Sequence, residues 1–131
     1  MIKNGYRYIR QLIDIDIFLN DTGNQYLMVS QRPDKGKMNE EGVIIRPAGV
    51  KMKLQILKDM SKPLVDKETG EIKEDNVYET FDVTIVGATY PLPIKKGSIV
   101  ALKDFLPEYS YYIDYNFILR FGSIEEVIED E

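Results

Sequence analysis

Val50-Lys51-Met52-Lys53-Leu54-Gln55-Ile56 alternates apolar and polar side chains without a break. A period of two puts Val50, Met52, Leu54 and Ile56 on one face of an extended strand, and Lys51, Lys53 and Gln55 on the other. Pro47-Ala48-Gly49 precedes the stretch and stops a shorter strand over 43–46. The same signature recurs toward both ends of the chain. Ile13, Ile15, Ile17 and Leu19 alternate with Asp14, Asp16, Phe18 and Asn20, which predicts another strand. Asn20-Asp21-Thr22-Gly23-Asn24 then supplies turn chemistry before a returning strand over 25–31.

Downstream, Phe81, Val83 and Ile85 form an apolar face opposite Asp82 and Thr84. The turn Lys95-Lys96-Gly97 leads into a strand over 98–105. A last, long strand carries Tyr111, Ile113, Tyr115, Phe117, Leu119 and Phe121 inward, with Tyr112, Asp114, Asn116, Ile118 and Arg120 on its other side. Between these runs, 32–42 reads as a loop holding Pro33, Gly36 and Gly42, and 59–76 is polar. Within the latter, 64–73 predicts a projecting hairpin with Gly70 in its turn. Ser123-Ile124-Glu125-Glu126 has capping-box spacing, so 124–131 is expected as a short C-terminal helix or an acidic tail.

Five or more strands with short connections predict an all-β domain with antiparallel pairing. A sandwich and a small barrel both satisfy the pattern. Gly49, Gly87 and Gly97 near strand ends, and the need to hide the edges of β-rich segments, favour the barrel. The 131 residues fit one domain, 1–131. There is no apolar run long enough to span a membrane and no continuous apolar segment near Met1, so the expectation is a cytoplasmic protein without a membrane partner.

The chain has neither cysteine nor histidine. Disulfides, thiol nucleophiles, imidazole-based triads and Cys/His zinc sites are therefore excluded. Carboxylate, lysine or tyrosine chemistry and oxygen-ligated cations remain. The expectation is a binding protein rather than an enzyme, with no cofactor. Net charge is −5, but Glu125, Glu126, Glu129, Asp130 and Glu131 crowd the last seven residues, leaving the body of the chain near neutral. Any nucleic-acid site must then be a local basic patch.

A resemblance sharpens this. Residues 77–127 resemble the second half of an OB-fold: the strand Tyr78-Glu79-Thr80-Phe81-Asp82-Val83-Thr84-Ile85, the phrase Lys95-Lys96-Gly97-Ser98-Ile99-Val100-Ala101-Leu102, and a final strand ending Leu119-Arg120-Phe121-Gly122-Ser123-Ile124-Glu125-Glu126-Val127. By strand pattern the whole chain resembles the small single-stranded-DNA-binding proteins of phages and conjugative plasmids of Gram-positive bacteria. That implies an OB-type barrel acting in replication or transfer of a phage or mobile element. It also implies that the acidic tail recruits replication or recombination proteins. The terminal Pro-Phe dipeptide usual for that recruitment is missing here, and a solubilising tail explains the same residues.

Single strands are bound by stacking bases on aromatic rings and tracking phosphates with Lys and Arg. Nine tyrosines and five phenylalanines supply rings in abundance. Tyr6-Arg7-Tyr8-Ile9-Arg10 interleaves rings and cations, which also suits a solvated edge strand. Arg46, Lys51 and Lys53 form a basic outward strand face. Lys96 sits beside Lys95 in a loop, and Tyr78 opens a strand. Tyr112 on the outward side and Tyr109 in the loop after Pro107 are the better stacking candidates, while Tyr111 and Tyr115 are expected in the core. The expected mechanism is stacking by Tyr8, Tyr78 and Tyr112, with phosphates held by Arg10, Arg46, Lys51, Lys53 and Lys96. The partner would be single-stranded DNA, with RNA left open, and a homodimer would gain avidity. Phe18, set among acids, reads as an exposed ring that suits a base platform, a dimer contact or a second small core. A phage structural or protein-interaction β-domain without nucleic-acid binding is the main alternative. A metal-dependent nuclease built on Asp14, Asp16 and Asp21 is a further one.

Overall fold

The computed structural model describes residues 1, 3, 4, 13–114 and 116–128. Its elements are a helix α1 (Ile15–Asp21) and strands β1 (Tyr26–Asp34), β2 (Lys37–Met38), β3 (Ile44–Arg46), β4 (Gly49–Ile56), β5 (Thr80–Val86), β6 (Ile99–Phe105), β7 (Tyr111–Ile113) and β8 (Asn116–Glu126). The fold is mostly β. Six strands form one sheet in the order β5-β4-β1-β6-β8-β7, and β5 also pairs with β8. Strands β1, β4, β5, β8 and β6 therefore follow one another around a ring.

All pairings in the ring are antiparallel except β5 with β8, which run parallel with Val83 opposite Leu119 and Ile85 opposite Phe121. The expectation of purely antiparallel pairing is corrected here. The connection from β5 to β8 is not a helical crossover; it includes β6, which pairs on the far side of β8.

The alternation in β4 is realised: Val50, Met52, Leu54 and Ile56 are buried, while Lys51, Lys53 and Gln55 are not. They join Tyr26, Met28, Val83, Ile85, Val100, Leu102, Leu119 and Phe121 in one core. Each large apolar side chain removed from water contributes about 1.5–3 kcal/mol before chain entropy is charged against it. Gly49 is required where β4 starts. A Cβ there would collide with the Ile85 carbonyl of β5, so the two backbones can approach only without a side chain between them. A register shift between Met28 and Ser30 bends β1 as it passes from β6 to β4.

The stretch 13–19 is a correction. It forms a helical turn and not a strand. Asp14 stands at the N-cap, its carboxylate accepting from the Ile17 N–H at 3.2 Å. Ile15, Phe18 and Leu19 then share the i, i+3, i+4 face that packs on the core, and Ile17 is left exposed. Phe18 is accordingly no exposed ring: it meets Phe81 at 5.3 Å and Phe117 at 6.3 Å edge-on, and stacks near Tyr26. Tyr26 is buried, with its hydroxyl 2.6 Å from that of Thr22. Burial pushes its phenol above the ordinary value, against the smaller opposing effect of that hydrogen bond.

The predicted last strand is two strands. Asp114 takes a left-handed backbone at φ 49°, and β7 folds back on β8 with Tyr111 opposite Ile118. Only Leu119 and Phe121 of the expected inward row are buried; Tyr111, Ile113 and Phe117 are exposed. Tyr115 lies outside the described residues. The expected C-terminal helix is also corrected: β8 continues through Glu126, with Ile124 opposite Leu102 and Glu125 opposite Ala101. Glu125 pairs with Lys103 at 2.9 Å. Residues 129–131 of the tail lie outside the described residues.

The polar segment between β4 and β5 does project as a hairpin, held by a bridge between Val65 and Ile72. Asp66 accepts the Glu68 N–H at 2.8 Å and shapes its turn. At its base the Asp59 carboxylate receives the N–H groups of Ser61 and Asn76, both at 2.9 Å. A hydrogen bond from the Ser61 side chain, and after it those two N–H groups, hold Asp59 below the usual carboxylate range. The connection from β1 to β4 carries the separate β2–β3 hairpin.

Candidate nucleic-acid interface

The outward residues of β4 acquire neighbours through strand register. Arg32 of β1 lies opposite Lys51, Lys51 opposite Thr84 of β5, and Thr84 opposite Arg120 of β8. Four adjacent strands thus carry Arg32, Lys51, Thr84 and Arg120 in one row across the outside of the ring. Two residues along β4, Ser30 and Asp82 flank Lys53. Two shallow grooves that share Lys51 and Asp82 follow these rows. One reaches Ser30 and Arg32, and the other reaches Phe117, Ile118 and Arg120.

Charge on this face is mainly positive. Among the described residues Arg32, Lys51 and Lys53 form no ion pair, and Asp82 is the single acid lining the grooves. The Arg120 guanidinium is anchored: one Nη donates to the Tyr109 carbonyl at 2.7 Å, and its carbon lies 5.7 Å from the centre of the Tyr111 ring. That distance is a cation–π contact. The Arg120 Nε is buried without a hydrogen-bond partner among the described residues. Tyr111 itself is 47% exposed, so one face of an oriented ring is available beside a cation.

The candidate residues distribute unevenly. Lys51 and Lys53 point away from the core and line the grooves. Tyr78 stands in the turn before β5 and lines neither groove, its carbonyl accepting from Gln55 Nε2 at 3.1 Å and its N–H donating to the Ile56 carbonyl at 2.7 Å. It is 70% exposed and holds a left-handed backbone at φ 71°, a conformation that costs a non-glycine residue about 1–3 kcal/mol. Arg46 is half-buried and ion-paired with Asp34 at the base of the β2–β3 hairpin, so its charge is already met. Lys96 sits on the β5–β6 connection, beside Gly97, whose N–H donates to the Met28 carbonyl at 2.8 Å, and it lines neither groove. Tyr8 and Arg10 lie outside the described residues.

The burial expected of two neighbouring tyrosines is reversed. Tyr112 is half-buried in an apolar groove with Ile17, Phe18 and Phe117, whereas Tyr111 is exposed against Arg120. The turn at Asp114 causes this, because reversing the chain there severs β7 from the alternation of β8. Arg32, Tyr111, Phe117 and Arg120 belong to the face and escape a reading of isolated segments. Arg32 escapes because β1 runs on to Asp34 where a loop is expected.

Hollows beside α1 are lined by Asp14, Asp16 or Asp21 together with apolar side chains. Carboxylates there repel phosphate. Asp16 is on the helix and Asp14 is engaged as its cap, so they do not share the strand face on which a nuclease reading depends. Among the described residues no three acidic side chains gather in a way that would hold a metal ion. No described helix is long and apolar enough to cross a membrane. Set beside protein-family models, curated proteins and solved structures, the chain finds no match in any of the three.

Proposed function

We propose that this protein is a non-catalytic single-stranded-DNA-binding module whose five-stranded ring is an OB-type barrel. The strand order β1-β4-β5-β8-β6 around the ring, with a parallel pair closing it, supports the barrel reading. In such a fold the outer face of the second and third ring strands, here β4 and β5, receives the oligonucleotide. The observation that carries the function is the row Arg32–Lys51–Thr84–Arg120 with Lys53 beside it, three of its cations without an acidic partner among the described residues.

Phosphates would lie along Arg32, Lys51, Lys53 and Arg120, and a base would stack on Tyr111 next to them. Arg120, held in place by the Tyr109 carbonyl, would offer a phosphate its remaining guanidinium donors. Phe117 offers a further ring at the groove edge. Work on a replicating or transferring mobile element follows from the resemblance of the sequence to phage and plasmid binding proteins.

Fluorescence anisotropy of labelled oligo-dT, titrated at low and raised salt with a duplex control, tests the reading. Saturable binding that prefers the single strand and weakens with salt is the expected result. Absence of binding at low salt would overturn it and favour a protein-interaction domain.

A further inference from the structure

Asp82 is out of place on a surface that only tracks phosphate. It is the single acid lining the two grooves, and both grooves reach it. Strand register puts it opposite Lys53 and diagonal to Lys51, which faces Thr84 two residues further along β5. Diagonal neighbours of an antiparallel pair lie about 7–8 Å apart. A carboxylate that close to the cations repels the phosphates they attract. Aspartate is also among the residues that strands disfavour.

Neither packing nor hydrogen bonding accounts for it. Asp34, Asp104 and Glu125, on other ring strands, are each engaged, with Arg46, Ser123 and Lys103 in turn. The Asp82 side chain is exposed and makes no hydrogen bond or ion pair among the described residues, although Lys53 stands opposite it. Both of its oxygens are therefore open to a donor from solution. The groove that runs toward β8 sets Asp82 beside Phe117, which is 48% exposed, and beside Ile118, Lys51 and Arg120. A ring, two cations and a carboxylate in one groove answer the parts of a nucleotide: the face of its base, its phosphate and the edge of its base.

An ionised carboxylate only accepts hydrogen bonds, and it accepts two side by side from a fork of donors. On an unpaired base, guanine alone presents such a fork, its N1–H and its N2 amino group. Cytosine and adenine present one amino group beside an acceptor nitrogen. Thymine presents one N–H between two carbonyls. Each of these three turns a lone pair toward the carboxylate. We infer that Asp82 is the base-reading group of this face and that it selects guanine in single strands otherwise held through phosphates and rings. The inference rests on the nucleic-acid reading and adds a sequence preference to it. The negative charge acts twice, binding guanine and weakening the hold on the other bases.

Anisotropy titrations with alternating thymine–guanine, thymine–inosine, thymine–cytosine and thymine–adenine repeats, and with oligo-dT of equal length, test it. A lithium buffer keeps the guanine repeat from folding on itself. Inosine retains the N1–H and lacks the N2 amino group. The natural chain should bind the guanine repeat about tenfold more tightly than oligo-dT, and the inosine repeat should lose most of that gain. Asp82→Asn and Asp82→Ala change an exposed position, and circular dichroism checks that the fold is kept. Both should bind oligo-dT more tightly than the natural chain does, and the guanine repeat no better than oligo-dT. If Asp82 only tempers repulsion among Arg32, Lys51 and Lys53, both variants tighten alike on every repeat and the natural chain shows no preference, which overturns the inference. A guanine preference that survives in Asp82→Ala also overturns it, as does an inosine repeat bound as tightly as the guanine one. Equal affinity of the natural chain for all five oligonucleotides removes the inference and leaves the nucleic-acid reading standing. Absence of binding to any of them removes both.

Discussion

The two faces of β4 are made by neighbouring residues and follow opposite rules. Val50, Met52 and Leu54 have no measurable exposure, and each is fixed by what surrounds it. Lys51 and Lys53, between them, have strand neighbours, Asp82 included, but form no ion pair among the described residues. A position on the first face is answerable to packing, and one on the second to whatever comes from solution. One backbone therefore transmits the rigidity of the core directly to the cations.

The contrast predicts effects that separate by face. On the inner side, Leu54→Ala should cost about 2–5 kcal/mol, a large share of the about 5–15 kcal/mol that holds a domain together. A urea melt reads the change, and a cost below about 1 kcal/mol would deny Leu54 its place in the core. Gly49→Ala, placed where β4 meets the Ile85 carbonyl, should lower the urea midpoint although it adds only a methyl group.

On the outer side, Lys51→Glu with Lys53→Glu should leave stability within about 0.5 kcal/mol. The same pair should weaken oligo-dT binding and lower the salt slope by roughly 0.7 for each phosphate no longer neutralised. If the melt moves and the binding does not, the assignment of faces is reversed. Tyr111→Ala should cost about 1–3 kcal/mol of binding, with Tyr111→Phe close to the natural chain. Equal weakening in both variants would point to the hydroxyl and away from stacking.

The smallest effect concerns the hairpin base. Asp59 titrates below its ordinary value in the folded chain because it accepts hydrogen bonds there. Its contribution is therefore complete above the unfolded value, about 3.9, and disappears as pH falls through the lower folded value. Asp59→Asn should flatten that part of the stability–pH curve by losing a small stabilisation at neutral pH, and should leave the acid end nearly untouched. A thermal-melt series from neutral to acid pH checks it.

Much of the ring is legible in the sequence because period-two alternation and burial on one face have a common cause. β4, β5 and β6 lie close to where alternation and turn residues predict them, and the projecting hairpin is where Gly70 suggests. Alternation misleads at 13–19, where Asp14 caps a helix and Ile15, Phe18 and Leu19 also satisfy helical spacing. A seven-residue stretch can obey both periods, and packing on Tyr26 and Phe81 decides between them. Alternation misleads again at 111–121, because a single left-handed residue, Asp114, reverses the chain without disturbing the pattern. The candidate face is half legible for a related reason. Lys51 and Lys53 share a strand and reveal themselves by spacing, but Arg32 and Arg120 join them only through inter-strand register. No local window contains that register.

The parallel seam between β5 and β8 has a bearing on how the chain comes to be folded at all. Val83 must wait for Leu119, and everything between them, including the whole of β6, has to be laid down first. Until then β5 presents a bare edge, open to pairing with any extended chain nearby. Closure is a long-range event with a large loop to gather, which places folding among the slower, all-or-none transitions of small β domains. A ribosome making this chain has β1, β4, β5 and β6 in hand before the strand that joins β5 to β6 exists. The ring is therefore closed by the arrival of β8 in one step and is not assembled strand by strand in the order of synthesis.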